Sequence, residues 1–256
     1  MQNMKIAQMP DGKPEIYLAV QGEGSTIGIP MVFVRLSLCN LHCKWCDTFY
    51  TWNFDNTSFA HNFAGKVTPK DYIVTMTEQE VADYITQASK GIKRAIFTGG
   101  EPLVQQLFIP KVMELLGNDW TFDLETNGTI IIKPELAEKL TQVNCSPKLA
   151  NSGNELNLRK RVEAINCLKD YYYKGVFNLC FKFVVSMETI NDDLEEIKNW
   201  QGDHGVPNEL VWLMPLGTKR EEIRAGTEFL NKLAEEVNYK VSTRLQILTY
   251  GDKRAI

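Results

Sequence analysis

No apolar run in this 256-residue chain approaches the roughly 18–20 residues that a membrane span needs. Residues 1–12 lack a charged stretch followed by an apolar one, so no signal peptide is expected and the cytoplasm is the expected compartment. Net charge is -4, which excludes a global basic field; neither a direct nucleic-acid partner nor a membrane contact is expected. Internal repeats, low-complexity tracts and Pro/Gly/Ser-rich linkers are also missing, so one domain over residues 1–256 is expected. Six cysteines, three of them crowded together, do not resemble a disulfide framework.

The crowded cysteines are Cys39, Cys43 and Cys46, spaced C-x3-C-x2-C with Trp45 just before the third. Three thiolates from one short loop can hold three irons of a cubic iron–sulfur cluster and leave the fourth iron open to a cofactor. A four-cysteine cluster usually only carries electrons, so an open iron points to an enzyme. Zinc is the competing reading, but structural zinc wants four ligands, and His42 between two of the cysteines would be a strained fourth. Cys145, Cys167 and Cys180 have no close spacing and read as small buried hydrophobes.

Strand-like and helix-like stretches alternate along the chain. Strands are expected at residues 31–36, 94–98, 120–125, 143–145, 179–185, 210–214 and 243–248. Helices are expected at 77–88, 103–116, 134–140, 162–173, 189–200 and 219–237, the first opening on a Thr77/Glu80 capping box. Such alternation implies parallel strands with helical crossovers. About six units are fewer than the eight of a closed barrel, so an open, partial parallel β/α barrel is expected. Residues 53–76 fit no period; an active-site flap or insertion and a plain surface excursion both suit them.

The cysteine loop, Gly99-Gly100-Glu101, Glu125-Thr126-Asn127-Gly128 and Ser146-Pro147-Lys148 each follow an expected strand. Loops at the C-terminal ends of parallel strands carry function in such folds. Gly99 and Gly100 allow a close backbone approach to a ligand. Arg35 sits in an apolar strand, where a charge is costly unless paired; it suits either a bidentate carboxylate grip or a buried ion pair.

C-x3-C-x-aromatic-C followed by Gly-Gly-Glu-Pro resembles the radical S-adenosylmethionine superfamily. Gln21-Gly22-Glu23-Gly24, Phe33-Val34-Arg35-Leu36 and Cys46-Asp47-Thr48 narrow this to a resemblance to the 7-carboxy-7-deazaguanine synthases, with matched blocks over residues 15–148. The resemblance implies a [4Fe–4S] cluster on Cys39, Cys43 and Cys46, and S-adenosylmethionine cleaved to a deoxyadenosyl radical. It implies a magnesium ion on Thr48 and a lyase reaction that contracts 6-carboxy-5,6,7,8-tetrahydropterin with loss of ammonia.

By the same resemblance Trp45, Gly99, Gly100, Glu101, Glu125, Ser146 and Lys148 contact the cofactor. Val20, Gln21, Gly22, Glu23, Gly24, Arg35 and Thr98 contact the pterin, with Lys182 a weaker match, and Glu23 and Arg35 also serve the reaction. It implies a homodimer and a flavodoxin- or ferredoxin-type reductant. The residues alone leave bland alternatives: a core aromatic for Trp45, a helix N-cap for Ser146, a solvated carboxylate for Glu125, a hairpin turn for residues 21–24. Met214 stands where many relatives have glutamine, and no histidine follows His204, so the C-terminal substrate contacts depart from the family pattern. A glycyl-radical-enzyme activase and a non-enzymatic iron–sulfur or zinc protein are the other readings.

Overall fold

A computed structural model describes residues 3–254. Its ten described strands are β1 (Met4–Ala7), β2 (Ile16–Val20), β3 (Pro30–Leu36), β4 (Ile73–Met76), β5 (Arg94–Gly99), β6 (Thr121–Thr126), β7 (Gln142–Cys145), β8 (Asn178–Val185), β9 (Val211–Pro215) and β10 (Lys240–Val241). They join in the order β10-β9-β8-β7-β6-β5-β3-β1-β4, with β2 paired to β3. From β3 to β10 the pairing is parallel; β1, β2 and β4 form an antiparallel extension. β10 and β4 lie at opposite ends of the order and do not pair, so the barrel is open, as the strand count predicts.

Side chains on a strand alternate between faces, and here the alternation separates core from site. Val34, Leu36, Phe97, Leu124, Val143, Phe181 and Leu213 are buried in one apolar cluster against the crossover helices. Arg35, Thr98, Glu125, Asn144, Lys182 and Met214 lie between or beside them in sequence and face a cavity instead. Met31, Phe33 and Ile96 form a second small cluster beneath that cavity, with Tyr17 stacked on Phe33 at 5.5 Å.

Local signals account for most helices. Thr77 accepts from Glu80 N while the Glu80 carboxylate accepts from Thr77 N, the expected capping box of helix Glu78–Ala88. Three expectations need correction. The stretch 103–116 breaks into a short 3-10 turn, Pro102–Gln105, and a helix, Ile109–Leu116, because Gln105 turns inward to donate to Lys5 O and Ser37 O. Residues 53–76 are not structureless throughout: Pro69–Tyr72 is helical, and β4 pairs with β1 at the sheet edge. Residues 243–248 are no strand; β10 ends at Val241, and Leu245–Tyr250 is a helix whose Leu245 N–H donates to Gly22 O at 3.0 Å. No helix among the described residues is long and apolar enough to cross a membrane.

Candidate active site

The cysteine loop leaves β3 and folds against three other segments. Asn40 donates to Thr129 Oγ1 at 2.7 Å and accepts from Asn127 Nδ2 at 2.9 Å. Asn154 accepts from His42 N at 2.8 Å and donates to Cys43 Sγ at 3.2 Å. Trp45 donates its indole N–H to Asn151 O at 2.9 Å. From above, His61 bonds the Cys46 carbonyl at 2.8 Å and Phe59 stacks on His42, so residues 59–64 cover the loop as a flap.

Gly99 and Gly100 owe their identity to this packing. A Cβ on Gly99, at φ +128°, would lie 2.1 Å from Leu36 O, and one on Gly100 would lie 2.0 Å from Leu38 O. The Gly-Gly turn is thus pressed against the backbone that delivers Cys39. Gly100→Ala is expected to displace residues 36–39 and cost roughly 1–3 kcal/mol by overpacking, read as a lower urea midpoint and lower iron content after reconstitution.

All three thiols line one cavity of about 1420 Å³, with Glu23, Arg35, Trp45, Thr48, Thr98, Gly99, Gly100, Glu125, Ser146, Lys148 and Lys182. Pockets for a single small ligand run to about 1,000 Å³, so this one has room for a cofactor and a second molecule. Burial raises all three thiols above the ordinary cysteine range, Cys43 to about 11. Iron binding reverses that trend by taking the thiolate. Donors already point at two of the sulfurs, Leu41 N–H to Cys39 at 3.4 Å and Asn154 to Cys43, and the Thr48 hydroxyl lies 3.5 Å from Cys46 Sγ. Among the described residues no three His, Cys, Asp or Glu side chains gather closely enough for one metal ion. Three thiols on one pocket suit a cubic cluster that offers each a different iron.

Several residues expected to contact ligands lie off the cavity's lining. Glu101 does not line the cavity. It is fully buried, and its carboxylate accepts from Leu103 N at 3.0 Å, Thr126 Oγ1 at 2.8 Å and Asn127 N at 2.6 Å, so it braces the loop after β6. Val20, Gln21, Gly22 and Gly24 also lie off the cavity wall. Val20 is exposed at the end of β2, and Gln21 is buried, donating to Glu125 Oε1 at 3.1 Å. A Cβ at Gly22 would lie 1.9 Å from Gln246 Oε1, and Gly24, at φ +70°, packs on Asn144. Of residues 20–24, only Glu23 presents a side chain to the cavity.

Glu23 sits among cations. Lys182 and Arg244 both pair with it, Arg244 Nε at 3.0 Å, and Gln246 Nε2 donates at 2.7 Å. Burial alone would raise the Glu23 pKa; the two cations outweigh it and hold the carboxyl well below the usual range. Arg244 also pairs with Asp47 beside the cysteine loop. Arg35 forms the buried ion pair that its strand position allows, its Nε lying 2.6 Å from Glu15, and it also lines the cavity. Thr98 donates to Glu125 Oε2 at 2.5 Å, and Lys148 donates to Ser146 Oγ at 2.8 Å.

Register links these groups. Arg35 pairs with Thr98, Glu125 with Asn144, and Asn144 with Cys180, so the wall is one row across the sheet. Asn144 carries no motif, yet its Oδ1 accepts from Gln142, Ser25 and Cys180 while its buried Nδ2 has no partner among the described residues. Arg244, Gln246 and Asn144 are residues at or beside the cavity to which sequence reasoning gave no role, and Asp47 appeared there only within the Cys46-Asp47-Thr48 motif.

Residues 34–200 match the model of the radical SAM superfamily. A 7-carboxy-7-deazaguanine synthase of Pyrobaculum aerophilum is 30% identical over 241 residues, covering 94% of this chain and 95% of its own. The chain belongs to the 7-carboxy-7-deazaguanine synthase family. One of Halobacterium salinarum is 29% identical, covering 93% of this chain and 90% of its own. The crystal structure of QueE from Escherichia coli shares the fold, with a TM-score of 0.62 at 20% identity and 93% coverage of each chain. Membership in the 7-carboxy-7-deazaguanine synthase family brings the [4Fe–4S] cluster and S-adenosylmethionine of its superfamily, for which the three thiols are the fitting ligands. It also sets aside the activase, carrier and zinc readings.

Proposed function

We propose that this chain is a radical S-adenosylmethionine lyase that converts 6-carboxy-5,6,7,8-tetrahydropterin to 7-carboxy-7-deazaguanine, releasing ammonia, on a route to 7-deazapurines. The observation that carries this reading is the placement of Glu23 and Arg35 on the cavity that holds all three thiols. When bound, the cluster and S-adenosylmethionine supply hydrogen-abstracting radical chemistry.

The chain's own groups bind and orient. Arg35 lines the cavity and its Nη1 has no hydrogen-bond partner among the described residues, which suits it to the pterin carboxylate. Glu23, kept ionised by Lys182 and Arg244, accepts hydrogen bonds from pterin N–H groups. Gln21 and Thr98 fix the Glu125 carboxylate for the cofactor, and Ser146 with Lys148 forms the neighbouring polar wall. Thr48, at the rim of the cysteine loop, is the expected protein ligand of a magnesium ion that takes its remaining ligands from substrate and water. Residues 61–64 restrict water at the mouth. A flavodoxin- or ferredoxin-type reductant and a homodimer complete the proposal, with the cytoplasm as its setting.

Reconstituted protein incubated with the carboxylated pterin, S-adenosylmethionine, magnesium and a reductant is expected to yield 7-carboxy-7-deazaguanine. Its absence, with the cluster verified by absorbance, would refute the assignment. Asn144→Asp keeps the acceptor that holds Gln142, Ser25 and Cys180, removes the unpartnered donor and adds a buried carboxyl opposite Glu125. A rise in KM for the pterin of at least about tenfold is expected, since the lost hydrogen bond alone is worth roughly 1.4 kcal/mol.

A further inference from the structure

Glu15, just before β2, is fully buried and stands behind the cavity wall rather than on it. Its carboxylate oxygens are divided between two guanidiniums. Oε1 accepts from Arg35 Nε at 2.6 Å; Oε2 accepts from Arg254 Nε at 2.8 Å and, more closely, from Arg254 Nη2. The Tyr50 hydroxyl lies 3.1 Å from both oxygens. Arg254 is itself fixed: its Nη2 donates to Gln8 O at 2.6 Å, and its Cζ sits 3.6 Å over the Tyr50 ring.

Two guanidiniums on one buried carboxylate leave one positive charge uncompensated. Of the two, only Arg35 reaches the cavity wall. Arg35 spends Nε on Glu15 and one Nη2 bond on Tyr17, at 3.3 Å, while Nη1 has no hydrogen-bond partner among the described residues. A carboxylate held by one guanidinium prefers both of its oxygens in a parallel fork. Arg254 occupies the second oxygen and so denies Arg35 that fork.

We propose that Arg254 is a positioning residue: by holding one oxygen of Glu15 it keeps the free end of Arg35, and the surplus positive charge, available to the carboxylate of an anionic substrate. This rests on the proposed function, in which that substrate is a carboxylated pterin. Without Arg254, Glu15 draws Arg35 into a closed, neutral pair, and the wall loses its preference for an anion. Neutralising Glu15 as well releases Arg35 again.

The test compares equilibrium binding of 6-carboxypterin and of pterin, both read by fluorescence, to the full chain with its cluster reconstituted. Arg254→Gln is expected to weaken 6-carboxypterin binding about tenfold while changing pterin binding less than about twofold, since only the anion uses the surplus charge. The double variant Glu15→Gln/Arg254→Gln is expected to recover most of the lost preference. Equal losses for both ligands, or no recovery in the double variant, would overturn the inference, because a merely structural role predicts that the second substitution adds damage. If Arg254→Gln does not fold by circular dichroism, Arg254→Lys, which lacks the planar fork, takes its place with the same criteria. A wild-type protein with no preference for 6-carboxypterin overturns the functional reading itself; a wild-type preference untouched in the variant overturns only the role of Arg254.

Discussion

A Cys43→Ala protein is expected to fold, to bind little iron and to form no detectable product. The loop that holds Cys43 is braced by Asn40, His42 and Trp45 against segments after β6 and β7, so the thiol is not needed to shape it. Removing one buried sulfur costs folding about 1 kcal/mol or somewhat more, whereas the cluster loses one of its three ligands. The open iron then has no defined setting, and the absorbance change on adding S-adenosylmethionine disappears. Cys145→Ala is the control. Cys145 is fully buried off the cavity, against the position a Gly128 Cβ would fill, so its loss lowers stability and leaves iron content unchanged. Equal iron in the two variants would remove Cys43 from the ligand set.

Glu23→Ala carries the other large effect, and it acts on folding and function together. Lys182 and Arg244 are both buried, 6% and 7% exposed, and both point their charge at this carboxylate. Removing it leaves the buried Lys182 without its salt-bridge partner and Arg244 with Asp47 alone, a loss of about 3–5 kcal/mol for a broken buried pair. The urea midpoint falls accordingly, and the proposed pterin site loses its acceptor. Glu23→Gln keeps the shape but not the charge, so it separates the two roles: a smaller stability loss with a comparable rise in KM.

The pH dependence has a definite sign. The folded carboxyl of Glu23 is depressed below its unfolded value of 4.5, so its contribution is present in full above that pH. It drains away as pH falls from there through the depressed folded value. Urea midpoints measured from neutral pH downward should therefore fall more steeply below pH 4.5 in the wild type than in Glu23→Gln.

The strand and helix succession was legible because hydrophobic period and caps are local. Arg35 stood out as a charge inside the apolar strand β3, and the Thr77/Glu80 box marked a helix start. Residues 243–248 misled because Leu245, Ile247 and Leu248 fit a short strand as well as a helical turn. The bond from Leu245 N–H to Gly22 O, a tertiary contact, accompanies the helix. The partners of Glu101 were likewise set by the fold: a carboxylate after a Gly-Gly turn carries no local sign that it accepts from Leu103, Thr126 and Asn127.

The sequence by itself singled out Cys39, Cys43 and Cys46 as candidate iron ligands and pointed to the family, because the three sit within one loop and covalent spacing limits what they can bind together. Tertiary structure alone decided which charges meet at the cavity. Arg244 meets Glu23 across 221 residues of chain, and Arg254 meets Glu15 across 239. No local pattern encodes such pairs: strand register sets the row from Arg35 to Asn144, and the path of the C-terminal segment sets which cations close on the two glutamates. Only burial then fixes their value, since a charge removed from water must find its partner wherever the fold has placed it.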